Sequence, residues 1–261
     1  MKLLVKLGGT LLDVEATRER LARQIAAVAR TTALVVVHGG GRQLTQYLSE
    51  RGVESRFVDG LRVTTPEILD AVVKVVAGSV NRQLVATLNC AGARAVGISG
   101  VDANLVEAEQ LDPALGSVGR VTRANPALLD VLLAGGFLPV VACVASGRDG
   151  RFYNVNADQM AMACAAAFGA DQLIFLTDVE GVMDGGKHRV AHLTPARSEE
   201  MIAAGIATGG MLAKLNAAQA ALRQGVPQVR IAAGAAEGVL QRILAGEDVG
   251  TRLAAEEVYA K

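Results

Sequence analysis

Apolar residues along this chain fall in short unbroken runs separated by longer stretches of helical periodicity. The runs read as strands over Lys2 to Leu7 (KLLVKL), Ala33 to Val37, Arg94 to Ile98, Phe137 to Val141, Gln172 to Thr177 and Gln228 to Ile231. Between them, helices are predicted over residues 14–30, 42–51, 66–77, 80–91, 126–134, 157–168, 198–204, 210–224 and 237–244. Continuous apolar strands alternating with helices indicate an α/β fold with a mainly parallel sheet covered on both faces. Residues 101–123 are less regular, and their alternation suggests a hairpin. No fixed-period repeat or low-complexity tract occurs. A boundary between two lobes is expected near residue 170, without a linker.

Composition narrows the reading. With 261 residues, 51% of them hydrophobic, the chain can bury one large core or two modest ones. Lys plus Arg equals Asp plus Glu at 26 each, so the basic excess of a nucleic-acid binder is missing. There is no tryptophan and aromatics make up 3%, so the core must be aliphatic. Cys90, Cys143 and Cys164 form no CxxC and no even framework, which suggests reduced core thiols of a cytoplasmic protein. No signal peptide is read at the start, and no run is long and apolar enough to span a bilayer.

Candidate chemistry gathers where strands end. Gly8-Gly9 follows the first strand and Gly39-Gly40-Gly41 the second, each opening a helix. Such turns let backbone N–H groups approach an anion, and two of them favour anion binding over a tight turn alone. Neither is a GxGxxG, and no GxxxxGK[ST] occurs, so a Rossmann dehydrogenase and a P-loop kinase lose support. Lys6 interrupts a central apolar strand, an expensive place for a cation unless it is paired or at a site. Asn154, Asn156 and Asp158 alternate in the stretch FYNVNADQ (Phe152 to Gln159). In an extended segment they would share one side, and one of them could cap the following helix. Lys214 lies near the start of an Ala-rich helix. No His/Cys metal constellation and no nucleophile elbow is present.

These residues resemble the amino acid kinase family over essentially the whole chain. The resemblance rests on KLGGTLLD (Lys6 to Asp13), VVHGGG (Val36 to Gly41), DGLRVT (Asp59 to Thr64), NVNADQ (Asn154 to Gln159), LTDVEGVMD (Leu176 to Asp184) and GGMLAKLNAA (Gly209 to Ala218). Two of these blocks, Gly60-Leu-Arg-Val-Thr64 and Asn154-Val-Asn156, resemble the branch that phosphorylates N-acetyl-L-glutamate rather than aspartokinases, glutamate 5-kinases, carbamate kinases or uridylate kinases. The resemblance implies a three-layer αβα sandwich around an open, mainly parallel central sheet. It implies an N-terminal lobe (1–170) for acetylglutamate binding and dimerisation, and a C-terminal lobe (171–261) for ATP. The implied reaction is transfer of a phosphoryl group from ATP to the side-chain carboxylate, the second step of arginine synthesis.

By the same resemblance, Lys6 and Lys214 would hold the transferred phosphoryl group, with Asp158 orienting both. Gly8, Gly9, Gly40 and Gly41 would donate backbone N–H groups to the phosphates and the acyl carboxylate. Arg62 would clamp the substrate's α-carboxylate beside Asn154, and Asn156 would help place the reacting groups. Asp178, Val179, Glu180, Gly181, Val182 and Met183, with Ile206, Ala207 and Thr208, would line the adenosine pocket. Mg²⁺ would ride on the nucleotide phosphates rather than on protein ligands. A carboxylate acceptor needs no general base, so the chemistry reduces to positioning and positive charge.

Ser99-Gly100-Val101-Asp102 departs from the family's usual Ser-Gly-Lys-Asp. The sequence also shows no extra amino-terminal helix of the kind that links dimers into hexamers, so a homodimer is expected, with helices 66–91 offering the apolar face. A PII-type regulator is compatible with the resemblance but not indicated by it. Competing readings are a kinase for carrier-protein-linked aminoadipate in lysine synthesis, whose Asn-x-Asn block differs, and a non-catalytic module, which the presence of Lys6, Asp158 and Lys214 opposes.

Overall fold

A strand buried on both faces has no polar side to present, and the apolar runs become the centre of one sheet. In the computed structural model, which describes residues 1–254, Lys2–Leu7 forms β1, followed by a short helix α1 (Thr10–Asp13) and α2 (Glu15–Ala29). Next come β2 (Ala33–His38), α3 (Gly41–Ser49) and a small ribbon of β3 (Phe57–Val58) and β4 (Leu61–Arg62). One long helix follows, built of α4 (Pro66–Val72), a π-helical stretch Val73–Val80 and α5 (Asn81–Cys90). Then β5 (Ala95–Ser99), β6 (Val106–Gln110), β7 (Val118–Ala124), α6 (Ala127–Ala134), β8 (Leu138–Ala142), β9 (Val144–Ser146) and β10 (Phe152–Val155) lead to α7 (Ala157–Phe168). The remainder is β11 (Gln172–Thr177), β12 (His192–Leu193), α8 (Pro195–Ala203), α9 (Gly209–Arg223), β13 (Gln228–Ala233), α10 (Val239–Leu244) and β14 (Thr251–Ala254).

The main sheet runs β12-β14-β13-β11-β1-β2-β8-β5. β12 and β14 are parallel to each other and run opposite to the rest, β14 pairing antiparallel with β13; β13, β11, β1, β2, β8 and β5 are mutually parallel. The mainly parallel α/β fold expected from the sequence is what forms. The chain moves from β1 to β2 on one side, and β11 flanks β1 on the other. Ligands bind beyond the carboxyl ends of strands at such a reversal.

The expected hairpin is β6 and β7, antiparallel with a bulge at Glu107/Ala108. It closes with β9 and β10 into a small four-stranded barrel. The stretch 152–155, foreseen as an approach to a helix, is thus a strand in its own right.

The two helices expected at 66–77 and 80–91 are continuous. Thr65 caps the start through its side chain, and Pro66 occupies the first turn. Its buried stripe, Ile68, Val72, Val76, Val80, Leu84 and Leu88, recurs every four residues. That period outruns the 3.6-residue α turn, and the wider π stretch in the middle takes up the excess. The stripe faces the chain's own core, so it is not the free apolar face expected for a partner copy. Another expectation is corrected nearby: Cys143 and Cys164 are buried, but Cys90 is exposed. Among the described residues no helix is long and apolar enough to cross a membrane.

Candidate active site

The centre of the site is a charge in the middle of the sheet. Lys6 in β1 sits between Val37 of β2 and Phe175 of β11 and is 6% exposed. Its ammonium lies 2.7 Å from Asp158 Oδ1. Asp158 is in the first turn of α7, and its other oxygen is 3.7 Å from Nζ of Lys214 on α9. Burial opposes ionisation of Asp158, but the Lys6 and Lys214 ammonium groups outweigh it and hold the carboxyl below its ordinary value. Three residues far apart in sequence are thereby joined, as foreseen.

The polar stretch before α7 is arranged differently from expectation. Asn154, Asn156 and Asp158 do not share one strand face, because β10 ends at Val155 and the chain turns into the helix. Asn156 is the cap: its side-chain oxygen accepts from the backbone N–H of Asp158 at 2.8 Å and of Gln159 at 3.4 Å. This leaves Asp158 free for the lysines and near the positive end of the helix dipole. Asn154 instead donates to the Thr64 hydroxyl at 3.0 Å, and that hydroxyl donates to the Arg62 carbonyl at 2.8 Å.

Arg62 lies at the end of β4. Its guanidinium donates to the Gly41 carbonyl at 3.0 Å, to Thr45 Oγ1 at 2.7 Å and to the Ser55 hydroxyl, and lies 4.6 Å from the centre of the Phe57 ring. Burial pulls its pKa below the ordinary arginine value. A cavity of about 170 Å³ opens between the Gly39–Gly41 loop, Arg62, Asn154 and Asn156. Cys143 also lines this cavity, but burial pushes its thiol up to about 11 despite nearby Lys6, so it stays protonated at neutral pH and is no nucleophile.

The two glycine turns lie side by side. Gly8 N–H donates to the Leu176 carbonyl and Gly39 N–H to the Leu7 carbonyl, which ties both turns to the sheet edge. A Cβ on Gly9 would lie 3.4 Å from Gly41 N and 3.7 Å from Gly40 N, so the two turns face each other. On the other side of β1, residues 178–185 follow β11 and pack near the 206–208 turn: a Cβ on Gly185 would be 3.9 Å from Ile206. Asp178, Val179, Glu180, Ile206 and Thr208 are exposed, Met183 is half-buried, and Gly181 is buried. Val182 and Ala207 are buried in the core as floor beneath this surface. The Val182 N–H is spent on the Thr251 hydroxyl at 2.8 Å.

A larger cavity of about 780 Å³ runs between β7, α7 and α9 and touches the site at Asn156 and Gly209. Among the described residues no group of three or more His, Cys, Asp or Glu side chains could hold a metal. The arrangement sets three cations, Lys6, Lys214 and Arg62, against one central carboxylate, beside backbone donors. It can hold two anionic ligands close together.

Sequence reasoning missed the support around Arg62, namely Thr45, Ser55, Phe57 and Thr64. Only Thr64 stood inside a motif that was singled out. It also missed Gly116, whose neighbours Leu115 and Ser117 bond the backbone of Thr64.

Comparison with known proteins places this geometry. Residues 1–233 match the model of the amino acid kinase family. An acetylglutamate kinase of Solibacter usitatus (strain Ellin6076) is 66% identical, with 97% of this chain and 99% of the relative aligned. One from Deinococcus radiodurans is 45% identical, covering 96% and 99%. Among solved structures, an N-acetylglutamate synthase from Neisseria gonorrhoeae, complexed with coenzyme A and N-acetyl-glutamate, superposes with a TM-score of 0.87. It is 25% identical, and the match covers 99% of this chain and 60% of that one.

Proposed function

The chain belongs to the amino acid kinase family, and from that premise we propose how its residues transfer a phosphoryl group from ATP to the side-chain carboxylate of N-acetyl-L-glutamate. The products are ADP and N-acetyl-L-glutamyl 5-phosphate, the second step of arginine synthesis. The observation that carries the reading is Asp158 held between Lys6 and Lys214, at 2.7 and 3.7 Å, where both glycine turns converge.

The acceptor carboxylate is already ionised at neutral pH, so no base has to remove a proton. The obstacle is repulsion between that carboxylate and the γ-phosphate. Lys6, on the central strand, and Lys214, on α9, supply compact positive charge from two sides. Asp158 keeps them at a fixed separation. Gly9, Gly40 and Gly41 offer N–H donors that need no reorganisation as charge moves onto the transferred oxygens, whereas the Gly8 N–H, expected as a fourth donor, is spent on the Leu176 carbonyl. Arg62, braced by Gly41, Thr45 and Ser55, binds the α-carboxylate, and Asn154 and Asn156 border the same cavity. The adenosine lies along residues 178–183 and 206–208. The nucleotide enters as MgATP, with the ion on its phosphates, since Asp158 is committed to the two lysines.

In this reading the part up to about residue 170 binds acetylglutamate and the part after it binds ATP. A homodimer is proposed through surfaces other than the inward-facing stripe of residues 68–88; Val131 on α6, 69% exposed, is one apolar position available to it.

The test is ADP release measured with N-acetyl-L-glutamate, glutamate, aspartate, carbamate and UMP. Turnover should require acetylglutamate. Equal rates with free glutamate or aspartate would overturn the substrate assignment.

A further inference from the structure

His38 ends β2, immediately before the glycine turn, and is wholly buried. Its Nδ1 lies 2.7 Å from the carbonyl oxygen of Gly39. Its Nε2 lies 2.9 Å from the side-chain nitrogen of Asn81, the first residue of α5 after the π-helical stretch. Asn81 is equally buried, and the orientation of its amide follows from two further bonds. Its nitrogen also donates to the Val140 carbonyl at 3.0 Å, and its oxygen accepts from Arg82 at 2.6 Å. Reversing the amide would set oxygen against oxygen at Val140 and nitrogen against the guanidinium.

Because the Asn81 nitrogen is a donor, His38 Nε2 must be the acceptor. The ring proton is therefore on Nδ1, which donates to Gly39. A peptide is planar and trans, so its carbonyl and the following N–H point in opposite directions. Holding the Gly39 carbonyl on His38 thus directs the Gly40 N–H the other way, toward the Gly8-Gly9 turn. Among the described residues the Gly40 N–H meets no acceptor, and Gly40 N would be 3.7 Å from a Cβ on Gly9. From below, Val76 and Val80 of the π stretch close the loop: a Cβ on Gly40 would meet Val76 Cγ2 at 3.2 Å.

We propose that His38, set in one tautomer by Asn81, is a positioning residue that fixes the Gly39–Gly40 peptide plane and so aims the Gly40 N–H at the reacting anions. The π-helical stretch is the part of the fold that delivers both Asn81 and the valines beneath the loop. The proposal rests on the kinase reading for what the anions are, but not for the geometry it asserts.

The test contrasts two substitutions. An asparagine side chain can present a donor near the place of His Nδ1, whereas a glutamine reaches the place of Nε2 and lacks the nearer donor. His38→Asn should keep kcat within about threefold of the parent, while His38→Gln should lose on the order of 10- to 100-fold, the scale of a catalytic group misplaced by about 1 Å. Both are compared at temperatures where unfolding midpoints show them folded. In spectra of protein labelled with ¹⁵N-glycine, the Gly40 amide resonance should move in His38→Gln and stay near its parental place in His38→Asn. Equal kcat losses in the two variants, or a Gly40 resonance unmoved in both, would overturn the proposal. If the parent shows no turnover of acetylglutamate, the kinase reading fails by itself, and the Gly40 resonance alone decides the positioning role.

Discussion

Replacing Asp158 by Asn keeps the shape of the side chain and removes the one negative charge between two ammonium groups. The carboxylate is 5% exposed, with Lys6 at 2.7 Å and Lys214 at 3.7 Å. At an effective dielectric of about 20, those contacts carry about 6 and about 4 kcal/mol of attraction, before the cost of burying the charges. Much of this is cancelled by desolvation. What remains when one partner of a buried pair is removed is about 3 to 5 kcal/mol, because the other charge is stranded. Stability should therefore fall by about 3 kcal/mol in denaturant unfolding monitored by circular dichroism. Activity should fall further than a simple loss of folded protein allows. The two lysines would repel across the neutral amide and leave the places where transferred charge needs them, a loss on the order of 100- to 1,000-fold in kcat. ADP release measured on protein shown to be folded reads this loss apart from the change in stability. A kcat within about twofold of the parent, with an unchanged unfolding midpoint, would show that the carboxylate neither holds the lysines nor serves the reaction.

Arg62→Lys should raise the acetylglutamate KM by about tenfold or more while changing kcat less, because a forked, braced contact to a carboxylate becomes a point contact; initial-rate kinetics with saturating MgATP measure it, and an unchanged KM would count against the α-carboxylate role. Gly116 has φ of +67°, and a Cβ there would collide with the Thr64 carbonyl. Gly116→Ala should therefore lower the unfolding midpoint and, by shifting Thr64 and its bond to Asn154, weaken acetylglutamate binding in calorimetry. Burial lowers the His38 pKa from 6.5 to about 4, so the fold favours neutral imidazole. Its contribution is complete above pH 6.5 and is lost as pH falls toward 4, by up to about 3 kcal/mol. Asp158, also held below its ordinary value, contributes in full above its ordinary carboxylate pKa of 3.8 and loses that contribution only below it, outside this window. Unfolding free energies of parent and His38→Asn should converge over that window, and parallel curves would contradict the assignment.

Two charged members of the site were legible because they violated their local pattern. Lys6 broke an apolar strand and Asp158 stood in a polar cluster opening an Ala-rich helix, whereas Lys214, inside another such helix, was marked only by the family resemblance. Neutral polar support left no such mark. Asn81 sits in a helix where it looks like any surface residue, and its partner His38 is 43 positions away. The π stretch was invisible for a related reason: a four-residue spacing of valines and leucines reads as an ordinary amphipathic helix unless its drift is followed over five turns. The same-face reading of Asn154, Asn156 and Asp158 failed because the chain changes from strand to helix between the first and the second. The central strands announced themselves by continuous apolar runs, whereas β12, of two residues, is set by the pairing of His192 and Leu193 with Arg252 and Leu253 of β14, not by composition.

The position of β1 bears on how the chain acquires its shape during synthesis. This strand pairs with β2 on one side and with β11 on the other, through Leu3 to Leu7. At ribosomal speeds of about 5 to 20 residues per second, β11 follows β1 by roughly 10 to 30 s. Throughout that interval one edge of an apolar strand stands unmatched, the condition under which nascent chains recruit holding factors or each other. The parts of the chain before and after residue 170 therefore cannot mature one after the other. A fragment ending near residue 170 would expose the β11 side of its own central strand and should aggregate, even though it would carry Lys6, Arg62 and Asp158 entire.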